Sequence, residues 1–210
     1  MADWTTISAL ATAGGTLVLA VATFASVRSA NGAARTAERT LQAGLRPLLF
    51  PSRFDDPVQK VTWVDDHLTK VTGGRAAVEV TADVIYLTMS LRNVGSGIAV
   101  LHAWYPMTER PDARRPPPAP DTFRRLTRDL YVPPGDTGFW QGAIREPDDP
   151  HREPLARAIA GRQPLFIELL YGDLEGGQRT ITLFNLTPLD EENWLCSVAR
   201  HWNLDRADPR

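Results

Sequence analysis

The sequence predicts a mainly β protein: an antiparallel β-sandwich preceded by an N-terminal transmembrane helix and followed by a short C-terminal helix. Three observations predict it. Residues 7–27 carry no charged side chain. From Leu45 onward, apolar residues recur with period two in short runs. Turn-forming Gly, Pro, Asn and Asp separate those runs, with no internal repeat and no regular alternation of strand and helix.

At 210 residues, 43% hydrophobic and 23% charged, the chain suits one globular domain with an attachment. The expected division is 1–44 for a span and its stalk, and 45–210 for the sandwich. The net charge of −2 supplies no global basic field, so nucleic acid is not an expected partner. Lysine occurs only at Lys60 and Lys70, and the remaining basic side chains are arginine. With abundant alanine and proline, that composition points to a GC-rich bacterial genome. Cys196 is the only cysteine, so no intrachain disulfide forms and nothing argues for an oxidising compartment. Its setting, "NWLCSV", reads as a small buried hydrophobe.

The first element is "ISALATAGGTLVLAVATFASV", residues 7–27. About 20 predominantly apolar residues cross a hydrocarbon core. Leu10, Leu17, Val18, Leu19, Val21 and Phe24 favour insertion, while Gly14, Gly15 and several hydroxyls oppose it. With Trp4 as an interfacial aromatic, the expected span covers residues 4–27 and its partner is the lipid bilayer. A cleaved signal peptide wants positive charge ahead of its apolar core, but here Asp3 comes first and the arginines follow. A buried helix of a soluble fold is the other competing reading. Arg28, Arg35, Arg39 and Arg46 follow the span, which by the positive-inside rule places the domain in the cytoplasm. "RSANGAARTAERTLQAGLR" continues as a helical stalk, with Asn31-Gly32 as a point of kinking and Gly44 as a stop. Ala11 and Gly15, four apart, have the spacing of a close helix–helix contact, hence a homo-oligomer.

The strands follow in order. "LRPLLFPSRF" is an edge strand broken by Pro47 and Pro51. "ADVIYLTMSLRNV" alternates, with Ile85, Leu87, Met89 and Leu91 on one face. Tyr86, Thr88, Ser90 and Arg92 lie on the other, so a half-buried strand is expected. "NVGSG" is then a turn, because "IAVLHAWYP" after it is a strand and its neighbour. A phosphate loop would lead into a helix instead. "ERPDARRPPPAPD", residues 109–121, cannot pair inside a sheet and reads as an extended surface loop, with a PxxP match at Pro117 and Pro120.

"RDLYVPPGDTGFWQGAI" gives two strands around Pro-Pro-Gly-Asp, and residues 152–161 give a short helix stopped by Gly161. "PLFIELLYGDLEGGQRTITLFNLTP" is a hairpin turning at Glu175-Gly176-Gly177-Gln178, with Ile181 and Leu183 on the inner face of its second strand. Thr187-Pro188-Leu189-Asp190 resembles a helix start, and Trp194, Leu195, Val198 and Trp202 would form that helix's apolar side. Seven or eight short strands connected this way indicate an immunoglobulin-like sandwich.

The N-terminal span, the short helix, the "RP" strand, "LRNVGSGIA" and the late "LYGDLEGG" hairpin together resemble a loose group of uncharacterised bacterial single-pass membrane proteins. The resemblance covers most of the chain. It implies an immunoglobulin-like domain behind a membrane helix, and it supplies no catalytic residues.

Chemistry is sparse. No HExxH, CxxC or HxH spacing appears, so neither a metal site nor a cofactor is expected. Asp65, Asp66 and His67 form the best local cluster, and Asp148, Asp149 and His151 a second. No serine lies in a G-x-S-x-G elbow. Gly135-Asp136-Thr137-Gly138 has part of an aspartic-protease signature without its second lobe. Trp104-Tyr105 and Phe139-Trp140 lie near strand ends, where a groove forms if they do not fill the core. The expected function is therefore a membrane-anchored, non-enzymatic binding or adaptor module acting on a protein partner. The alternatives are a tethered hydrolase using Asp65, Asp66, His67 or His102, and an exported ligand-binding sandwich.

Overall fold

The computed structural model describes residues 3–112, 114–190 and 193–205. The chain divides into two compact units at Ala43/Gly44. The first unit is one helix, α1 (Trp4–Gly44), whose stretch Ile7–Glu38 is long and apolar enough to cross a membrane. Its 41 residues reach about 60 Å at about 1.5 Å per residue. The helix runs unbroken through Asn31-Gly32, the expected kink. Its threonines satisfy their hydroxyls internally: Thr12 Oγ1 donates to the Ser8 carbonyl at 2.9 Å and Thr16 Oγ1 to that of Thr12 at 2.9 Å. Such back-bonding is what lets a hydroxyl sit in an apolar medium. The side chain of Trp4, expected at an interface, lies outside the described part.

The second unit contains β1 (Leu49–Pro51), β2 (Gln59–Thr62), β3 (Leu68–Val71), β4 (Arg75–Val80), β5 (Ile85–Asn93) and β6 (Ala99–Met107). After the proline-rich segment come β7 (Arg124–Val132), β8 (Thr137–Ile144), α2 (Arg152–Ala160), β9 (Leu165–Gly172), β10 (Arg179–Pro188) and β11 (Trp194–Asn203). All pairings are antiparallel. The protein is mainly β, with antiparallel strands that are not clearly an immunoglobulin-like sandwich. One strongly curled nine-stranded sheet runs β1-β5-β4-β11-β10-β9-β6-β7, with β8 added on β5, and β2-β3 is a separate hairpin.

The main core gathers side chains from every strand of the large sheet, including Leu49, Leu87, Trp140, Tyr171, Phe184 and Trp194, and α2 adds Leu155 and Ala158. A second core on the opposite face of β9-β10-β11 holds Phe166, Leu170, Ile181, Leu183 and Trp202. A third, under the β2-β3 hairpin, holds Val61, Trp63, Val71 and Tyr86.

Four expectations change against this frame. The C-terminal segment is strand β11, not a helix. Phe184 pairs Val198 while Leu183 pairs Arg200, so Ala199 is an extra residue in the ladder. That bulge switches faces: Cys196 points into the main core and Trp202 into the second one. Apolar residues at 194, 198 and 202 thereby imitate helical spacing. Next, β5 is buried on both faces rather than one, because the β2-β3 hairpin covers Tyr86 and Ser52 covers Ser90, with Ser52 Oγ donating to Ser90 Oγ at 2.6 Å. Ile181 and Leu183 pack in the second core, on the face opposite Leu165, Ile167 and Leu169.

Lastly, β6 pairs β7 and β9 and is not the hydrogen-bonded neighbour of β5. "NVGSG" is a turn that packs under the entry to β1. A Cβ on Gly97 would stand 1.7 Å from the Leu45 carbonyl oxygen, so only glycine permits the approach. The buried Asn93 side chain fixes this corner. Its Oδ1 accepts from the amides of Leu48 at 3.1 Å and Gly95 at 3.0 Å, and its Nδ2 donates to the carbonyls of Gly97 at 2.6 Å and Val132 at 2.9 Å. The late hairpin forms as read: β9 and β10 pair, Gly176 takes φ 74°, and Asp173 Oδ1 accepts from the Gly177 amide at 2.8 Å.

Candidate functional site

Three places on the second unit concentrate chemistry. The first contains two of the sequence-predicted residues. Asp65 and His67 leave the tight turn between β2 and β3, where Asp66 adopts φ 59° and faces solvent. His67 Nε2 lies 2.7 Å from Glu79 Oε2, and its ring stacks on Tyr86 with centroids 4.0 Å apart. Thr69 Oγ1 donates to Glu79 Oε1 at 2.6 Å and lies 3.3 Å from the same His67 Nε2. Asp65 accepts from Tyr86 Oη at 2.7 Å and from Arg145 Nη2 at 3.0 Å. The Tyr86 hydrogen bond, opposed by burial and aided by Arg145, holds the Asp65 carboxyl below its ordinary range. Burial first, then Asp65, pushes the Tyr86 phenol up.

This cluster does not have the geometry of a nucleophile relay. A base must take the hydroxyl proton on one imidazole nitrogen and be oriented through the other. Here Thr69 and Glu79 both meet Nε2. The fourth candidate, His102, is not part of the cluster. It sits in the bulge of β6, and its charged neighbours are Asp129 and Arg179. The arrangement clamps the β2-β3 hairpin onto β4 and β5.

The second place is a cleft of about 350 Å³ between the start of β7 and the end of β8. These consecutive strands share no backbone ladder, since β7 pairs β6 and β8 pairs β5, and Arg128 Nη2 donating to Gln141 Oε1 at 2.8 Å links them through side chains. Trp63, Trp104, Arg124, Arg125 and Arg145 line it. Arg124 is committed to Asp149, whose carboxylate also accepts from the His151 amide at 2.9 Å and so fixes the entry to α2. Burial pushes the Asp149 carboxyl up, but Arg124 and that amide outweigh it and hold it low. Of the second predicted cluster, Asp149 and His151 thus come together, and Asp148 stays exposed.

The third is a pocket of about 590 Å³, within the range that small ligands and side chains occupy. Tyr105 and Met107 from β6, Arg110, Asp112 and Arg115 from the proline-rich segment, and His151 and Pro154 at α2 line it. The Tyr105 ring meets His151 edge to face at 5.1 Å. Its lining combines apolar surface with a few polar groups, the make-up of a ligand site. Of this lining, the sequence singles out Tyr105 as a groove candidate and His151 as part of a cluster. Trp104 and Trp140, fellow candidates of Tyr105, pack against each other in the main core with centroids 5.1 Å apart, and Trp104 also lines the second cleft.

Among the described residues, no group of three or more His, Cys, Asp or Glu side chains is placed to hold a metal ion. No protein-family model, no curated protein and no solved structure matches this chain.

Proposed function

We propose that the chain is a membrane-anchored, non-enzymatic binding module. In this reading α1 sits in the bilayer, the sheet body lies on the cytoplasmic side, and the pocket beside Tyr105 and His151 receives part of a protein partner. One observation carries the anchoring. Leu10, Leu17, Val18, Leu19, Val21 and Phe24 are all at least 63% exposed, on every side of one helix. An isolated helix of this kind in water leaves its apolar surface unburied, at about 25 cal/mol per Å². A bilayer removes that cost. The arginines that follow the span favour the cytoplasmic side.

Deletion of residues 1–43 tests the reading. The full chain should fractionate with membranes and the truncated chain with the soluble fraction. Equal partition of the two would refute the anchor.

A further inference from the structure

We infer that the sheet's second core carries a guanidinium-binding slot built on Glu168, that Arg115 is its internal occupant, and that an arginine side chain of a partner polypeptide takes the same place. This deepens the binding-module reading and rests on it, but it does not depend on membrane anchoring.

Glu168 is a misfit in its strand. It stands on β9 between Phe166 and Leu170, opposite Tyr105 on β6 and Leu183 on β10, and it is completely buried. A buried carboxylate without a cation is strongly destabilising, so its partner is a requirement of the fold. Among the described residues, the cation in ion-pair contact with Glu168 is not on a strand. It comes from the proline-rich segment, whose Arg115 Nη2 contacts Glu168 Oε1. Arg115 also lies over the Trp202 ring, 5.4 Å from its centroid, where a cation meets the negative face of the indole. The segment is therefore not simply a surface loop: it is a strap that Arg115 ties to the sheet.

That hold is incomplete. Both carboxylate oxygens of Glu168, and Arg115 Nε and Nη2, are buried without a hydrogen bond among the described residues, so the two charges touch without a formed hydrogen bond between them. A carboxylate and a guanidinium pair best through two parallel bonds, and this pair does not use them. An arginine free to approach squarely satisfies both oxygens. The strap is also built to leave: Pro116, Pro117 and Pro118 follow Arg115 directly and donate no backbone hydrogen bonds to a strand. Arg115 lines the 590 Å³ pocket while Glu168 and Trp202 do not, so a side chain entering from that pocket meets Glu168 only when Arg115 gives way. Lysine, a point charge without the planar fork, is a poor substitute.

The test uses the full chain in detergent, N-acetyl-L-arginine amide as probe and N-acetyl-L-lysine amide as control, read by tryptophan fluorescence and thermal melting. Vacating the slot in Arg115→Ala removes internal competition, so the arginine probe should bind at least about tenfold more tightly than to the parent chain. It should also raise the variant's melting temperature. Adding Glu168→Gln should abolish both effects. Equal affinity for variant and parent, or equal response to the lysine control, overturns the slot. Should Arg115→Ala not fold, Arg115→Lys keeps a cation in place, and it must still bind the arginine probe more tightly than the parent does. These readouts are independent of membrane partition, so either proposal can fail alone.

Discussion

Asn93 Nδ2 donates to the Val132 carbonyl at 2.9 Å, joining the end of β5 to the end of β7. β5 and β7 share no ladder, and β7 shares none with β8. The Asn93 carboxamide therefore does locally what sheet pairing does elsewhere. It also reaches Leu48, Gly95 and Gly97, so the turn at 94–97 is organised by the residue ahead of it.

Asn93→Ala should leave two amides and two carbonyls without their partner, all four of these bonds being at buried or partly buried positions. The expected loss is about 2–4 kcal/mol, from buried polar groups left unsatisfied. Chemical denaturation of variant and parent checks it. A loss within error of zero would mean that water replaces the side chain.

Arg124→Ala should strip the buried Asp149 carboxylate of its cation and destabilise the body by about 3 kcal/mol at neutral pH. The sign with pH is definite. The folded-state pKa of Asp149 is below the ordinary 3.8, so the unfolded chain takes up a proton before the folded one does. That stabilisation is complete above the ordinary value and is lost as pH falls through the depressed one. The gap between parent and variant should therefore shrink below about pH 4. Denaturation midpoints from pH 7 down to pH 3 measure it.

Cys196 should be inert in the folded chain. Its thiol is 5% exposed, lies 3.7 Å from Met89 Sδ, and has its pKa pushed well up by burial. Maleimide labelling should be negligible in native detergent solution and rapid in denaturant. Rapid labelling of the native chain would place the thiol outside the core.

The sequence makes some of this legible and hides the rest for identifiable reasons. The β9-β10 hairpin is local: alternation and a Glu-Gly-Gly-Gln turn specify it within about 25 residues. The α2 helix and its Gly161 stop are local as well. β11 is misread because the bulge at Ala199 breaks the period-two pattern where it matters. The alternation in β5 is real, but a hairpin 15 or more residues upstream covers its polar face, and composition does not encode that. Asp65 and His67 are found as neighbours in sequence. Their partners Glu79, Tyr86 and Arg145 arrive from β4, β5 and beyond β8, so only the fold brings them together. One signal goes unread: Glu168 in "FIELLY" is a single carboxylate in an apolar strand, and such a residue announces a buried partner.

Extraction of membranes with alkaline carbonate tests the central claim most directly. The tether requires α1 to prefer hydrocarbon to water, so the full-length chain should remain in the pellet while peripheral proteins wash away. Recovery of the intact chain in the supernatant would contradict the anchor, and with it the placement of the sheet body at a membrane.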